Sequence, residues 1–276
     1  MKKRNLVLSV MATCLVSCFL LSGCNGQKQI DSETVKTVKV EEQAHLQDDT
    51  VSPTCQITID YSYLAKSDAA DSIVQRINRT IQAHILGKEY TRMNPEVAVD
   101  SFKNTYINNY RKDVNEFYQE DIKNGTPKDE LPTWYNYEYG LTTYFSEGKE
   151  GILNFIAETF EYTGGAHPNS WNKWMNFEKN TGKLLALKDV FMAGSEKPIS
   201  DMLLEELITE MATRLEDSSI TSLEGLQNAG ILNSTNMYVP DNFLLEKEKV
   251  SFLYNKYDIA PYAVGTVSYT HLTLPT

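Results

Sequence analysis

The spacing of hydrophobic positions changes several times along this chain, and each change marks a structural element. Cys55-Gln-Ile-Thr-Ile-Asp-Tyr-Ser-Tyr-Leu64 alternates, with Ile57, Ile59, Tyr61 and Tyr63 on one side. That period predicts a half-buried strand, with Cys55 as a small buried hydrophobe. The period then lengthens: Ile73, Val74, Ile77, Ile81 and Ile85 share one helical face, which Ser67 can cap and Gly87 can stop. Asn94-Pro95 opens a second helix that carries Val99, Phe102, Tyr106, Tyr110, Val114 and Phe117 at three- and four-residue steps as far as Gly125. The stripe is aromatic, and a core face accounts for it without a cofactor.

Alternation returns in residues 134–139, 141–146 and 152–162, read as three successive strands, with Glu147-Gly-Lys-Glu-Gly151 as the turn between the last two. Trp134, Tyr135, Tyr137, Tyr139 and Tyr144 fall on both faces of this meander. One face suits stacking on carbohydrate, while ordinary core and cross-strand pairing explains the same pattern. A second unit follows. Trp174-Met-Asn-Phe177 and Lys183-Leu-Leu185 flank a turn, Leu187-Lys-Asp-Val-Phe191 leads toward a helix begun by Pro198, and Ile199, Leu203, Leu207, Met211 and Leu215 recur along it. Residues 243–245 and 250–254 flank 246–249 as another hairpin. No parallel strand-helix-strand alternation is legible, so the expected class is α+β, with two small antiparallel-sheet-plus-helix units packed together.

The N-terminus has a different character. Met1-Lys2-Lys3-Arg4 is basic, residues 6–21 are almost wholly apolar, and Leu21-Ser22-Gly23-Cys24 closes the run. About 16 apolar residues are too few to span ~30 Å comfortably, and the layout is that of a cleaved secretory signal. Its last residues resemble the lipobox of bacterial lipoproteins. The resemblance implies that the Cys24 thiol is acylated, that Cys24 becomes the first residue of the mature protein, and that the chain is lipid-anchored to a bacterial membrane in the cell envelope, periplasmic or surface-exposed. Residues 25–53 are rich in Gln, Lys, Asp, Glu and Thr and show no period, which reads as a disordered tether. As a random coil, such a length would span ~30 Å. The expected organisation is therefore a signal peptide at 1–23, a tether at 24–53, an N-terminal domain at 54–163 and a C-terminal domain at 164–266.

Charge and composition narrow the partners. The chain carries a net charge of −11, and loss of Lys2, Lys3 and Arg4 with the signal takes the mature form to −14. Such a field disfavours nucleic acid and attracts cationic partners. Cys14 and Cys18 leave with the signal and Cys24 is taken by lipid, so Cys55 stands alone and neither a disulfide framework nor a thiolate metal cluster is expected. No H-E-x-x-H, G-x-S-x-G or phosphate-binding Gly-rich loop occurs, and no cofactor is implied. His45 lies in the tether and His84 beside a helical core face. Among histidines this leaves His167 as the candidate base or ligand, although a histidine in a Gly-Gly/Pro turn more often holds its loop.

The segment Tyr162-Thr-Gly-Gly-Ala-His-Pro-Asn169 ends a long strand with two glycines, a histidine and a proline, so its backbone is expected to adopt special dihedrals, above all at Gly165. Three other motifs recur with it: Phe177-x-x-x-Thr181-Gly182-Lys183, then Leu187-x-Asp189-Val190-Phe191, then Tyr257-Asp258-Ile259-Ala260-Pro261-Tyr262-Ala263-x-Gly265. In that order the motifs resemble a pair of envelope domains that occur together. The pair is found in the extracellular part of a lysozyme-sensing anti-sigma factor, in the non-catalytic region of a peptidoglycan deacetylase, and in lipoproteins of unknown role. The resemblance spans roughly residues 54–266. It implies a binding ectodomain at the cell wall whose partner is a cationic, lysozyme-like envelope protein or peptidoglycan itself. Neither anti-sigma signalling nor deacetylation is carried over. The ligand contacts it suggests are Thr163, Gly164, Gly165, His167 and Asn169 in the first loop, with Tyr257 and Tyr262 in the last motif. A hydrolase using carboxylates with His167, or a purely structural lipoprotein, are the alternative readings.

Residues 267–276, VSYTHLTLPT, resemble the translation of a sequencing adapter. On that reading the natural sequence runs to near Thr266, where it is cut short of its true terminus so that the C-terminal domain is truncated, and the tail is expected to lack specific packing.

Overall fold

The computed structural model describes residues 35–65, 71–232, 237–261 and 264–273. Cys24, Ser67 and Tyr262 lie outside them, so the acylation site, the expected cap of the first helix and one suggested ligand contact carry no structural description. Mixed α+β architecture in two packed sheet-plus-helix units is what the fold shows. The first sheet runs in the order β1 (Val35–His45), β2 (Thr54–Leu64), β3 (Tyr137–Glu147), β4 (Ile152–Tyr162) and β5 (Asn169–Glu178). The second has β6 (Phe243–Leu245), β7 (Lys249–Tyr254) and β8 (Val267–Thr273).

β2 is the inner spine of the first unit. Cys55, Ile57, Ile59 and Tyr61 are at most 1% exposed, as their alternation requires. Between β2 and β3 the chain forms α1 (Asp71–Ile85) and α2 (Pro95–Lys123), which cross over the sheet. β2 and β3 consequently pair in parallel, from Cys55↔Tyr137 to Asp60↔Thr142, which corrects the all-antiparallel expectation. Two separated runs joined by helices are harder to read as one parallel pair than a regular alternation would be. Asn94 and Pro95 start α2 where the sequence places them, and Ala98, Val99, Ile107, Tyr110, Val114 and Tyr118 are its buried residues. Phe117 is instead 52% exposed. Over so long a helix the 3.6-residue turn carries the buried stripe from Val114 to Tyr118 rather than to Phe117.

Four expectations are corrected. Val35–His45, assigned to the tether, is an edge strand in register with β2 from Val35↔Leu64 to His45↔Thr54. It reads as polar because an edge strand needs apolar residues on one face alone, here Val38, Val40 and Ala44 against the core. Gly140 does not split β3, because it pairs with Thr58 of β2 on one side and with Phe160 of β4 on the other. The 163/164 boundary falls inside the first sheet, since β5 pairs antiparallel with β4 from Glu161↔Asn169 to Ile152↔Glu178. The polar 163–168 loop is thus a hairpin connection rather than a linker. Finally, Val267–Thr273 packs as β8 against β7, with Val267 1% exposed in the second core. Main-chain pairing accepts any strand-prone alternation, and Val-Ser-Tyr-Thr-His-Leu-Thr supplies one.

The second unit places α4 (Glu196–Arg214) and α5 (Leu223–Asn228) against its sheet, after a single turn, α3 (Leu187–Val190). Ile199, Leu203, Leu207 and Met211 of α4 enter the same core as Phe243, Leu245, Val250 and Phe252, while Leu215 remains 45% exposed beyond the last helical turn.

Asparagine side chains join the two units. Asn176, 1% exposed on β5, donates Nδ2 to Phe243 O at 2.8 Å and accepts Leu245 N at 2.8 Å. Asn255 accepts Asn172 N at 2.7 Å and returns Nδ2 to Asn172 O at 3.1 Å. Asn242 accepts Trp174 N at 2.7 Å and donates to Asn172 O at 2.9 Å. Each amide presents a donor and an acceptor side by side, as a strand does, so the outer edge of β5 is completed by side chains of the second unit. The β3–β4 turn approaches as closely as a glycine allows. A Cβ on Gly148 would lie 2.5 Å from Leu245 O, the carbonyl that also accepts Lys149 N at 3.0 Å.

Candidate functional site

Completion of the β5 edge leaves a cleft of about 290 Å³ where the two units meet. The first unit contributes His84 from the end of α1, Thr159 from β4, and Trp171 and Lys173 from β5. Thr159 pairs directly with Trp171, and Lys173 lies two residues further along the same face. The second unit contributes Tyr238 and Asp241 before β6, and Asp258 in the turn after β7.

The polar groups of the cleft are held in place. Asn172, Asn242 and Asn255 reach its wall and are fixed by the bonds that join the units. Asp258 accepts Asn255 N at 2.7 Å, which locks the turn that presents it. Tyr238 packs edge-on against Tyr254 at 5.3 Å between centroids and is still 45% exposed, while the Tyr254 hydroxyl donates to Tyr238 O. Burial, reinforced by Asp258, raises the Tyr238 phenol, so it remains a neutral donor at physiological pH. Burial, with help from the charges of Lys173 and Lys88, pulls the His84 imidazole below its ordinary value and leaves it neutral near pH 7. The cleft therefore combines flat aromatic surface at Trp171 and Tyr238 with neutral and charged hydrogen-bonding groups of both signs. That set suits a hydroxyl- and amide-bearing ligand.

Among the described residues suggested by the sequence, none lines this cleft. Thr163, Gly164, Gly165 and His167 occupy the hairpin loop that feeds β5, and Asn169 is the first residue of β5, two positions before Trp171. Tyr257 is 61% exposed in the turn between Asn255 and Asp258, with a positive φ of 70°. Residues just after the loop and just before Tyr257 meet, through Asn172–Asn255 and through Lys256 Nζ to Ser170 Oγ at 3.5 Å. Within the loop the special backbone belongs to Gly164, not Gly165. Gly164 has φ 85°, and a Cβ there would lie 2.4 Å from Trp134 O, whereas at Gly165 the nearest atom would be 3.7 Å away. His84, Trp171, Lys173, Tyr238 and Asp241 escape sequence reasoning because they come from three separate segments. Asp258 alone stands inside a motif that the sequence singles out.

Elsewhere the aromatic meander is largely core. Tyr135 and Tyr139 are buried, Tyr106 donates to Glu161 at 2.9 Å, and Tyr106 and Tyr139 stack tilted at 4.9 Å. Cys55 is a free, buried cysteine whose thiol is pushed up to about 12 by burial. Among the described residues, no three His, Cys, Asp or Glu side chains gather as metal ligands.

Two family models match the chain. Residues 50–170 match a model described as "Deacetylase PdaC", and residues 188–270 match "Protein of unknown function (DUF3298)". This is the pair of domains that the ordered motifs resemble. A crystal structure of a DUF3298 family member from Bacteroides fragilis is similar at a TM-score of 0.76 and 29% identity, covering 88% of this chain and 92% of that one. A DUF3298 family protein from Pseudomonas aeruginosa PAO1 shares the fold at a TM-score of 0.56 and 15% identity, over 86% of this chain and 89% of that one. No curated protein matches the sequence.

Proposed function

We propose that this protein, in which a PdaC-type region precedes a DUF3298 region, is a non-catalytic binding module of the cell envelope whose cleft between the units takes a glycan segment of peptidoglycan. The observation that carries this reading is the cleft itself. Trp171 and Tyr238 offer ring faces to the C–H surface of a sugar, and Asp241, Asp258, Lys173 and Thr159 offer partners to its hydroxyl and acetamido groups. The neighbouring 163–169 loop and the turn at Tyr257 extend the surface beyond a single sugar. The alternative of a hydrolase acting through His167 finds little support, because His167 is exposed in the loop and is not among the residues that line the cleft.

A second partner, a cationic wall-directed protein such as a lysozyme, is favoured by the net charge of −11. A field of that sign accelerates encounter with a basic protein, and the gain fades as the Debye length falls from ~10 Å at 0.1 M salt to ~3 Å at 1 M. Calorimetry separates the readings. Soluble peptidoglycan fragments should bind with little salt dependence and weaken at least tenfold in Trp171→Ala, whereas lysozyme binding should collapse at high salt. Loss of neither interaction in Trp171→Ala, or no binding of either partner, would retire the cleft as the site. Attachment through acylated Cys24 completes the proposal, and Cys24→Ala should release the protein from membrane fractions; a variant that stays as firmly bound as the parent contradicts it.

A further inference from the structure

A second cleft, of about 300 Å³, shares no lining residue with the first. It is walled by Lys36 of β1, Tyr63 of β2, Arg79 of α1, Arg92 of the following turn, and Asn94 and Glu96 at the start of α2. Three cations on one concavity run against the charge of a chain at −11. The single carboxylate among the described wall residues is already engaged. The Tyr63 hydroxyl donates to Glu96, and that bond, with smaller help from the Glu96 backbone N–H and the charge of Lys36, holds the Glu96 carboxyl below its ordinary value. Lys36 acts on Glu96 through its charge alone. Arg79 and Arg92 form no ion pair with any described carboxylate.

The frame that carries the two arginines is rigid. Gln82, 1% exposed on α1, donates Nε2 to Tyr90 O and Met93 O, both at 3.1 Å, which ties the turn bearing Arg92 to the helix bearing Arg79. One turn earlier Asn78 bonds both the N–H and the carbonyl of Leu64, at 3.0 and 2.8 Å, and pins α1 to the end of β2. Asn94 caps α2 without a side-chain hydrogen bond, so the positive end of a 29-residue helix also faces this cleft.

We propose that this second cleft is an anion-binding site that takes a carboxylate or phosphate group, with the planar guanidinium forks of Arg79 and Arg92 as its grips. The site stands independently of the glycan cleft. Its test is calorimetric titration of the protein at low salt with glycerol 3-phosphate and with N-acetylmuramic acid, which carries a carboxylate; neutral N-acetylglucosamine is the control, and each titration is repeated in Trp171→Ala. At least one anion should bind, with the same affinity in Trp171→Ala, and the binding should weaken at least tenfold in Arg79→Gln/Arg92→Gln and at high salt. Binding of the phosphate alone or of the carboxylate alone identifies which source the site serves. If the double variant does not fold, the single Arg92→Gln in its exposed turn decides the matter, with a several-fold loss expected. The proposal is overturned if neither anion binds, if the neutral sugar binds as tightly with the same dependence on the arginines, or if the folded arginine variants bind normally.

Discussion

Replacing Asn176 with alanine should loosen the two units from each other more than any other single amide deletion. Asn176 is 1% exposed, and its two hydrogen bonds, both 2.8 Å, satisfy Leu245 N–H and Phe243 C=O at the start of the second sheet. Both main-chain groups belong to fully or nearly fully buried residues, so no water replaces the lost amide. At ~1–3 kcal/mol for each buried group left unpaired, the expected cost of the two is about 2–6 kcal/mol. For a chain of this size each kcal/mol moves the melting midpoint by roughly 2–4 °C, so the fall should be at least about 4 °C. Asn176→Asp should do no better. It keeps an acceptor for Leu245 N–H, turns the donor facing Phe243 O into a second acceptor, and buries a charge. Urea unfolding followed by tryptophan fluorescence measures the loss, and proteolysis at residues 179–195 reports separation of the units. An exposed amide in the adjoining turn, Asn180, supplies the control, with Asn180→Ala expected to stay within ~0.5 kcal/mol of the parent. A loss for Asn176→Ala below ~1 kcal/mol would falsify the claim that side-chain amides, rather than apolar contact alone, hold the interface.

Two further expectations test corrections made by the structure. Gly164→Ala should cost more than ~2 kcal/mol, combining left-handed strain with a Cβ driven to 2.4 Å from Trp134 O, while Gly165→Ala should be nearly neutral; equal losses in thermal melts would show that the loop is not fixed at Gly164. Deleting residues 267–276 removes β8 with its buried Val267 and bares the edge of β7, so it should lower the melting midpoint by several degrees, and an unchanged midpoint would restore the reading of this tail as unpacked.

Much of the architecture is local and therefore legible in the sequence. The alternation of residues 55–64, the Asn94-Pro95 start of α2, the 246–249 hairpin and the α+β class follow from side-chain period and turn chemistry, which act over a few residues. The order of the recurrent motifs likewise points to the paired domains that the family models match. What the sequence leaves open depends on partners distant along the chain. Val35–His45 is a strand because β2 offers it a free edge, and Val267–Thr273 is one because β7 does; in both, main-chain pairing outweighs an unremarkable composition. The same holds for β5, which joins the first sheet through β4 although the expected 163/164 boundary places it in the second domain. The two clefts each gather residues from four or more segments, so periodicity carries no trace of them. Sequence marked the 163–169 loop and the Tyr257 turn as special, and tertiary structure decided that these flank a cleft whose walls are His84, Trp171, Lys173, Tyr238, Asp241 and Asp258, because only packing of the two units brings those side chains into one concavity.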